Sequence, residues 1–150
     1  MKIAVSTDER TDLVETLLKE LNERHHTVEY IGPEAGEDAD WPEVTCRAAE
    51  LVASGAADEG IVMCWTGTGA SIAANKVKGI RACLCHDTYS ARQGVEHDDM
   101  NVVCLGARII GVDLAKDILT AFIDANFLPE ARFQRRLDKV LDVEKNQSAV

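Results

Sequence analysis

The sequence predicts an α/β protein built on one doubly wound, Rossmann-like parallel sheet of five strands. Two observations lead to this fold class. Five short apolar runs are spaced along the chain, and amphipathic helical patterns fill most of the intervals between them. Strands that alternate with helices pair in parallel, and the helices then cover both faces of the sheet. We expect the flavodoxin-like strand order 2-1-3-4-5, with ligands bound beyond the carboxyl ends of the strands.

Each predicted strand is a short apolar run bounded by glycine or polar residues. The five strands are expected over residues 2–7, 27–31, 60–64, 80–85 and 101–105. In this fold the carboxyl ends of strands 1 and 3 lie together at the switch point. Asp8 and Glu9, which follow strand 1, should therefore face the residues that follow strand 3.

The predicted helices have apolar residues at helical spacing. The first has them at positions 13, 14, 17, 18 and 21, and others are expected over 43–54, 70–76 and 89–95. Two helices close the chain, with apolar residues at Val112, Ile118, Leu119, Phe122 and Ile123 and at Phe133, Leu137, Val140 and Leu141. The last helix is amphipathic and follows Pro129. We expect it to reach a neighbouring subunit in a homodimer.

Length and composition are those of a single globular domain over residues 1–150, with residues 146–150 as a frayed tail. The formal net charge of −10 argues against nucleic-acid binding, although a local arginine cluster can still hold a small anion. No apolar stretch is long enough to span a membrane, and the N-terminal run is too short for a signal-peptide core. The five cysteines form no C-x-x-C pair, so we expect reduced thiols in a cytoplasmic protein.

The most informative segment is Cys64 with the glycine-bearing loop that follows it. The apolar run 60–63 predicts a buried strand, Cys64 ends it, and residues 65–69 lead into a helix. Backbone N–H groups converge on an anion at such a place, and a thiolate there can act as base or nucleophile. A buried strand cysteine in an ordinary turn is the competing interpretation.

Histidine and arginine side chains supply further candidates. His97 is expected in a loop just before strand 5, where an imidazole suits proton transfer. Arg132 and Arg136 are four residues apart and share a helix face, and Arg108 follows strand 5. Arginine is well suited to bind phosphate, although solvated surface charge is its commoner role.

Two common kinds of site are disfavoured by spacing. The loop at 67–69 is neither G-x-G-x-x-G nor a Walker loop, so a dinucleotide or ATP site is poorly supported. Strand alternation sends Cys83 and Cys85 to one face and His86 to the other, so no metal site is expected.

Taken together, these residues resemble the ribose-5-phosphate isomerase B family, which includes the galactose-6-phosphate isomerase subunits. The similarity extends from residue 1 to about residue 144, and its most specific parts are residues 60–76 and 79–82. Shorter matches support it at residues 40–42, 89–91, 97, 101–102, 106–108, 132 and 136.

The resemblance implies an aldose–ketose isomerase for a phosphorylated sugar, with ribose 5-phosphate and ribulose 5-phosphate as the default pair. It implies a dimer, which could pair into a tetramer, with sites at the subunit interface and no metal or organic cofactor. Cys64 would move a proton between C1 and C2 through an enediolate held by the loop amides from 67 to 71. His97 would assist ring opening, Asp8 would bind near the ring oxygen and hydroxyls, and the three arginines would hold the phosphate, some from the partner.

The implied site residues fall into two groups. The catalytic candidates are Cys64, His97 and Thr66. The substrate-binding candidates are Asp8, Glu9, Trp65, Gly67, Thr68, Gly69, Ser71, Asp98, Arg108, Arg132 and Arg136.

Four positions depart from the family's pattern. The family usually has histidine where this chain has Glu9, glycine in place of Trp65 and asparagine in place of Asp98, and a histidine is common at Phe133. All four touch the substrate side rather than the proton-transfer residues. We therefore expect isomerase chemistry with an altered sugar preference.

Other function classes remain open. The substrate could be a tetrose phosphate, a hexose phosphate or an unphosphorylated sugar. The chain could be a non-catalytic sugar-phosphate-binding subunit, but its retention of Cys64 and His97 argues against that. A flavin-binding or signalling domain is disfavoured by the low aromatic content of 5% and by the lack of a hydroxyl-rich loop after strand 1.

Overall fold

The computed structural model describes residues 1–147 and confirms the α/β class. The strands are β1 Lys2–Thr7, β2 Thr27–Ile31, β3 Glu59–Cys64, β4 Ala82–Leu84 and β5 Val102–Gly106. The helices are α1 Asp12–Glu23, α2 Trp41–Ala53, α3 Thr68–Ala74, α4 Thr88–Asp98, α5 Val112–Ile123 and α6 Ala131–Gln147. The five strands form one sheet, and every pair in it is parallel.

The strand order is β2-β1-β3-β5-β4, so the predicted order 2-1-3-4-5 is wrong for the last two strands. The burial of the two strands explains the exchange. All five residues of β5 are buried, whereas β4 has only three residues and two of them are partly exposed. A short, partly exposed strand suits the edge of a sheet, and the fully apolar strand takes the interior position beside β3.

The helices cover both faces of the sheet, as predicted. Helices α1, α4 and α5 pack with one core cluster, and α2 and α3 pack with the other. Because β5 returns towards β3, α4 lies on the same face as α1 and α5. Helix α6 packs against α4. Its predicted contact with a partner subunit stays a prediction.

Local sequence signals fix several helix starts. The hydroxyl of Thr11 accepts a hydrogen bond from the Val14 N–H, so Thr11 caps α1 and leaves Asp8 free for another role. Asp87 caps α4 by accepting from the Ser90 N–H at 2.7 Å.

Helix α6 continues through Gln147, so the first two residues of the predicted frayed tail, 146 and 147, are helical. Residues 148–150 of that tail lie outside the described residues. Across residues 1–147, no helix has the length and apolar character needed to cross a membrane.

All strands of the sheet begin on one side and end on the opposite side, and we call these two sides the amino edge and the carboxyl edge. At the carboxyl edge, Cys64 of β3 pairs with Gly106 of β5, and at the amino edge Gly60 pairs with Val102. The two levels are roughly 13 Å apart at about 3.3 Å per residue. Residues that follow strands therefore gather at one edge, and residues that end helices such as α4 gather at the other.

Candidate active site

The carboxyl edge carries a pocket of about 420 Å³ around Cys64, which we call the cysteine pocket. It is lined by Asp8, Trp41, Cys64, Trp65, Thr66, Thr68, Gly69 and Ile72. Cys64 itself is only 4% exposed, so its sulfur lies at the bottom of the pocket. The predicted convergence of residues after strands 1 and 3 is confirmed, because Asp8 and Cys64 line the same cavity.

Gly67 shapes the loop beneath the sulfur. Its φ of +78° lies in the left-handed region, and a Cβ there would come within 2.5 Å of Leu84 Cδ1. Its N–H donates a hydrogen bond to Cys64 Sγ at 3.2 Å. Gly67 is buried and its N–H fixes the position of the sulfur, so the implied use of this amide to hold an enediolate meets a competing bond.

The two threonines of the loop lie at the mouth of the pocket. The Thr68 N–H donates to Thr66 Oγ1 at 3.3 Å, which leaves the Thr66 hydroxyl proton available to a bound molecule. Gly69 faces Trp41, and a Cβ at Gly69 would come within 2.9 Å of the indole ring. The small residue therefore lets Trp41 form a wall of the pocket, a role that the sequence did not reveal.

The predicted use of Ser71 in a ligand-binding set of amides meets a competing bond. The Ser71 N–H donates to the Gly67 carbonyl at 2.9 Å. This N–H is therefore used inside the protein.

Asp8 lines the cysteine pocket, and one of its carboxylate oxygens is buried among protein atoms. This oxygen, Oδ1, has no hydrogen-bond partner. Burial raises the pKa of Asp8, a hydrogen bond from its own backbone opposes that rise, and the neighbouring Glu9 and Asp38 charges add to it while Arg108 lowers it. Because the residue lines the pocket, a carboxylate acceptor is available beside the thiol for a ligand hydroxyl.

Glu9, Arg108 and Trp65 form one contact group beside the pocket, which we call the Glu–Arg–Trp group. Arg108 Nη2 lies 3.1 Å from Glu9 Oε2, and Arg108 Cζ lies 3.3 Å above the centroid of the Trp65 ring. Trp65 is 51% exposed and lines the pocket. Two of the four departures from the family pattern are thus joined through a single arginine.

The other cysteines differ from Cys64 in their surroundings. Burial raises the pKa of the Cys83 thiol, and it raises the pKa of Cys85 to about 12. Burial also raises the pKa of Cys104 strongly. These three thiols stay protonated near neutral pH and are structural.

His97 lies apart from the cysteine pocket. It belongs to the last turn of α4, so the prediction of a loop position is wrong, because α4 runs three residues further than the periodicity indicated. Its ring stacks on the Phe133 ring at 4.0 Å between centroids and 17° between planes. Since α4 ends just before β5 begins, His97 lies towards the amino edge of the sheet.

Arg132 and Arg136 lie on α6 beside His97. Arg132 Cζ is 4.4 Å above the Phe133 ring, and its Nε is 3.0 Å from Glu130 Oε2. Arg136 is exposed and takes part in none of the ion pairs found within residues 1–147. We call His97, Arg132, Phe133 and Arg136 the histidine–arginine cluster.

Asp98, the remaining candidate, is next to that cluster. It lines a groove of about 300 Å³ with Leu137 and Val140 of α6. The predicted site residues therefore divide into two sets within one chain. Among residues 1–147, no three histidine, cysteine or acidic side chains converge as metal ligands would.

The structure gathers a thiol, a carboxylate and a loop hydroxyl around one pocket at the switch point of the sheet, and comparison with known proteins gives the class, a sugar-phosphate isomerase. Residues 3–140 match the family described as Ribose/Galactose Isomerase, and the chain belongs to that family.

Individual relatives and structures give the same picture. The chain is 41% identical to D-erythrulose-4-phosphate isomerase of Pectobacterium atrosepticum over 85% of each protein. It is 39% identical to ribose-5-phosphate isomerase B of Escherichia coli over 78% of each. The solved ribose-5-phosphate isomerase B of Clostridium thermocellum superposes with a TM-score of 0.93 at 40% identity, covering 98% of this chain and 99% of that one.

Proposed function

We propose that this protein interconverts an aldose phosphate and its ketose through an enediolate, with ribose 5-phosphate and ribulose 5-phosphate as the default pair. One observation carries the proposal: Cys64 Sγ, fixed by the Gly67 N–H, lies at the bottom of a pocket that Asp8 and Thr66 also line. A base held in contact with a carbon acid is what enolisation requires.

The residues of the pocket suggest the steps. In the aldose, the Cys64 thiolate removes the proton on C2, the C–H electron pair forms the C1=C2 bond, and the carbonyl oxygen on C1 gains the negative charge. The resulting thiol then returns the proton to C1, while the proton of the C2 hydroxyl moves to the C1 oxygen. The Thr66 hydroxyl can donate to these oxygens, and Asp8 can accept from a sugar hydroxyl.

Ring opening and phosphate binding require groups that the pocket of one chain lacks. His97, Arg132 and Arg136 belong to the histidine–arginine cluster, whereas Cys64 is at the opposite edge of the sheet. We propose that a second copy brings its cluster to this pocket in a homodimer. Exposed apolar side chains on α6, Val140 at 56% and Val143 at 58%, are suited to such a contact.

The substrate is open between sugars of different length. Relatives of similar identity are named for a four-carbon and for a five-carbon substrate. Trp65 is large and exposed beside the thiol, and this favours a preference that differs from the default pair. All five cysteines are free thiols, which supports a reducing compartment such as the cytoplasm.

The experiment is a proton-exchange assay by NMR in D2O with a panel of tetrose, pentose and hexose phosphates. We expect solvent deuterium at C2 of one aldose with the wild type and its loss in Cys64→Ala. Cys46→Ala is the matched control, because Cys46 is a half-buried thiol on α2 that is not part of the pocket lining. If no compound exchanges, or if Cys64→Ala exchanges as fast as the wild type, the proposal is wrong.

A further inference from the structure

Three buried polar atoms that lack a hydrogen-bond partner lie on one face of the sheet, beneath the cysteine pocket. They are Ser6 Oγ, Thr45 Oγ1 and Asp8 Oδ1. Within residues 1–147, Glu59 Oε2 is the only other buried side-chain oxygen or nitrogen in this condition. Ser6 and Thr45 are both 0% exposed. Buried polar atoms are nearly always hydrogen-bonded, so three such atoms in one place call for a common explanation.

The alternation of side chains along β1 puts Ser6 and Asp8 on the same side of the sheet. Ala4 and Ser6 share a face, and Ala4 belongs to the core cluster beneath α2 and α3. Asp8 lines the cysteine pocket with Cys64, which belongs to the same cluster. Ser6 therefore lies two residues, or roughly 7 Å, below Asp8 on that face.

Thr45 reaches the same region from α2, which begins at the pocket residue Trp41 and runs towards the amino edge. Thr45 and Val52 both belong to the buried stripe of this helix. Val52 fixes the level of the helix, because a Cβ at Gly60 would lie 3.3 Å from its Cγ2 and Gly60 pairs with Ala4. Thr45 is seven residues nearer the helix start, so it lies about 10 Å from that level towards the carboxyl edge.

The three polar atoms therefore share one small region. Thr45 lies between the levels of Ser6 and Asp8, which are roughly 7 and 13 Å from Ala4 along β1. None of the three atoms hydrogen-bonds directly to another. An internal water makes about three hydrogen bonds to buried groups of this kind, and here two hydroxyls and one carboxylate oxygen are available to it.

We propose that Ser6 and Thr45 are positioning residues for Asp8, acting through an ordered water that binds both hydroxyls and Asp8 Oδ1. The water donates a hydrogen bond to Oδ1 and so holds the inner oxygen of the carboxylate. Asp8 then faces the pocket in one fixed orientation and can accept a hydrogen bond from a sugar hydroxyl. This inference rests on the proposed isomerase function, and it adds two residues that lie behind the pocket rather than in its lining.

The test separates the hydroxyl of Thr45 from its methyl group. Thr45→Val keeps the shape and removes the hydroxyl, whereas Thr45→Ser keeps the hydroxyl and removes the methyl group. With the best substrate of the exchange assay, Thr45→Val should lower kcat/KM about tenfold, as expected for a lost hydrogen bond to a charged group, and Thr45→Ser should stay within about twofold of the wild type. A role in packing alone predicts the opposite order, because only Thr45→Ser leaves a cavity. That opposite order would overturn the inference.

Denaturant unfolding gives a readout that needs no substrate. Thr45→Val should lower the urea midpoint, because the Ser6 hydroxyl and the Asp8 carboxylate lose a shared partner. An unchanged or higher midpoint would overturn the inference, since removal of a hydroxyl that makes no hydrogen bond does not destabilise the fold. In Asp8→Ala, which lacks the carboxylate, the loss caused by Thr45→Val should shrink to less than about half. An equal loss in both backgrounds would also overturn the inference.

Thr16→Val is the matched control. The Thr16 hydroxyl donates to the Asp12 carbonyl within α1, on the opposite face of the sheet, so kcat/KM should stay within about twofold of the wild type. If no sugar phosphate reacts in the exchange assay, the proposed function fails while the unfolding measurements still test the water-linked group. The two failures are therefore distinguishable.

Discussion

The two edges of the sheet carry the two sets of predicted site residues, and these sets are built differently. The cysteine pocket is formed by strand ends and the loop after β3. There the Gly67 N–H and the pairing of β3 with β5 fix the position of the Cys64 thiol. The histidine–arginine cluster is formed by α4 and α6, where a ring stack between His97 and Phe133 holds it. Strand ends give the Cys64 thiol a fixed position, whereas the helices leave Arg132 and Arg136 exposed on the surface.

The first prediction removes the base from the carboxyl edge. Cys64→Ala should lower kcat by about 10³-fold, because general-base catalysis contributes 10²- to 10⁴-fold. Cys64→Ser should be similarly impaired, since a serine hydroxyl is a far weaker acid than a thiol and is hardly ever ionised near neutral pH. The measurement is turnover of the best substrate from the exchange assay, with Cys46→Ala as the control. Activity within tenfold of the wild type in Cys64→Ala would contradict the role of the thiol.

The second prediction uses two substrates to distinguish the role of His97 from that of the cysteine pocket. An aldose 5-phosphate closes to a furanose ring, whereas a four-carbon aldose 4-phosphate has no free hydroxyl with which to do so. His97→Gln should therefore lower kcat/KM about 100-fold for ribose 5-phosphate and less than about threefold for erythrose 4-phosphate. His86→Gln, at an exposed position, is the control. Equal losses on both substrates would show that His97 does not act in ring opening.

The third prediction concerns Glu59, at the opposite end of β3 from Cys64. Burial, followed by the neighbouring charge of Asp58, raises the pKa of Glu59 to about 7, and its Oε2 has no hydrogen-bond partner. A carboxyl whose folded pKa is raised binds more protons in the folded state than in the unfolded state. Stability should therefore fall as pH rises from about 4.5 towards 7 and stay low above it.

Glu59→Gln removes this titration. The variant should be more stable than the wild type by about 2 kcal/mol at pH 8 and nearly equal to it at pH 4.5. Denaturant unfolding at both pH values is the measurement. Glu37→Gln, on an exposed loop residue, should show no such pH-dependent difference. If the free energy of unfolding changed with pH in the same way in Glu59→Gln and the wild type, ionisation of the buried Glu59 would not be what destabilises the fold.

The cysteine pocket was predictable from sequence because its signals are local. An apolar run, a terminal cysteine and two glycines predicted a strand, a switch-point position and a loop, and the structure confirms them. Trp41 was missed as a pocket residue, because its contact with Gly69 joins segments 28 residues apart and leaves no periodic signal.

The position of His97 was less predictable for a topological reason. With the order 2-1-3-4-5, right-handed crossovers would place α4 on the face of α2 and α3, which is the wrong face, and the periodicity ends this helix too early. The observed order depends on β5 being more buried than β4, a difference set by tertiary packing.

The most direct test of the composite site is to combine two inactive chains. Cys64→Ala and His97→Gln are co-expressed with different tags, and the mixed dimers are isolated and assayed on ribose 5-phosphate. In a mixed dimer one site has both native residues and the other has neither, so activity should recover to about half that of the wild-type dimer. Mixed dimers no more active than either parent would contradict a site shared between two copies.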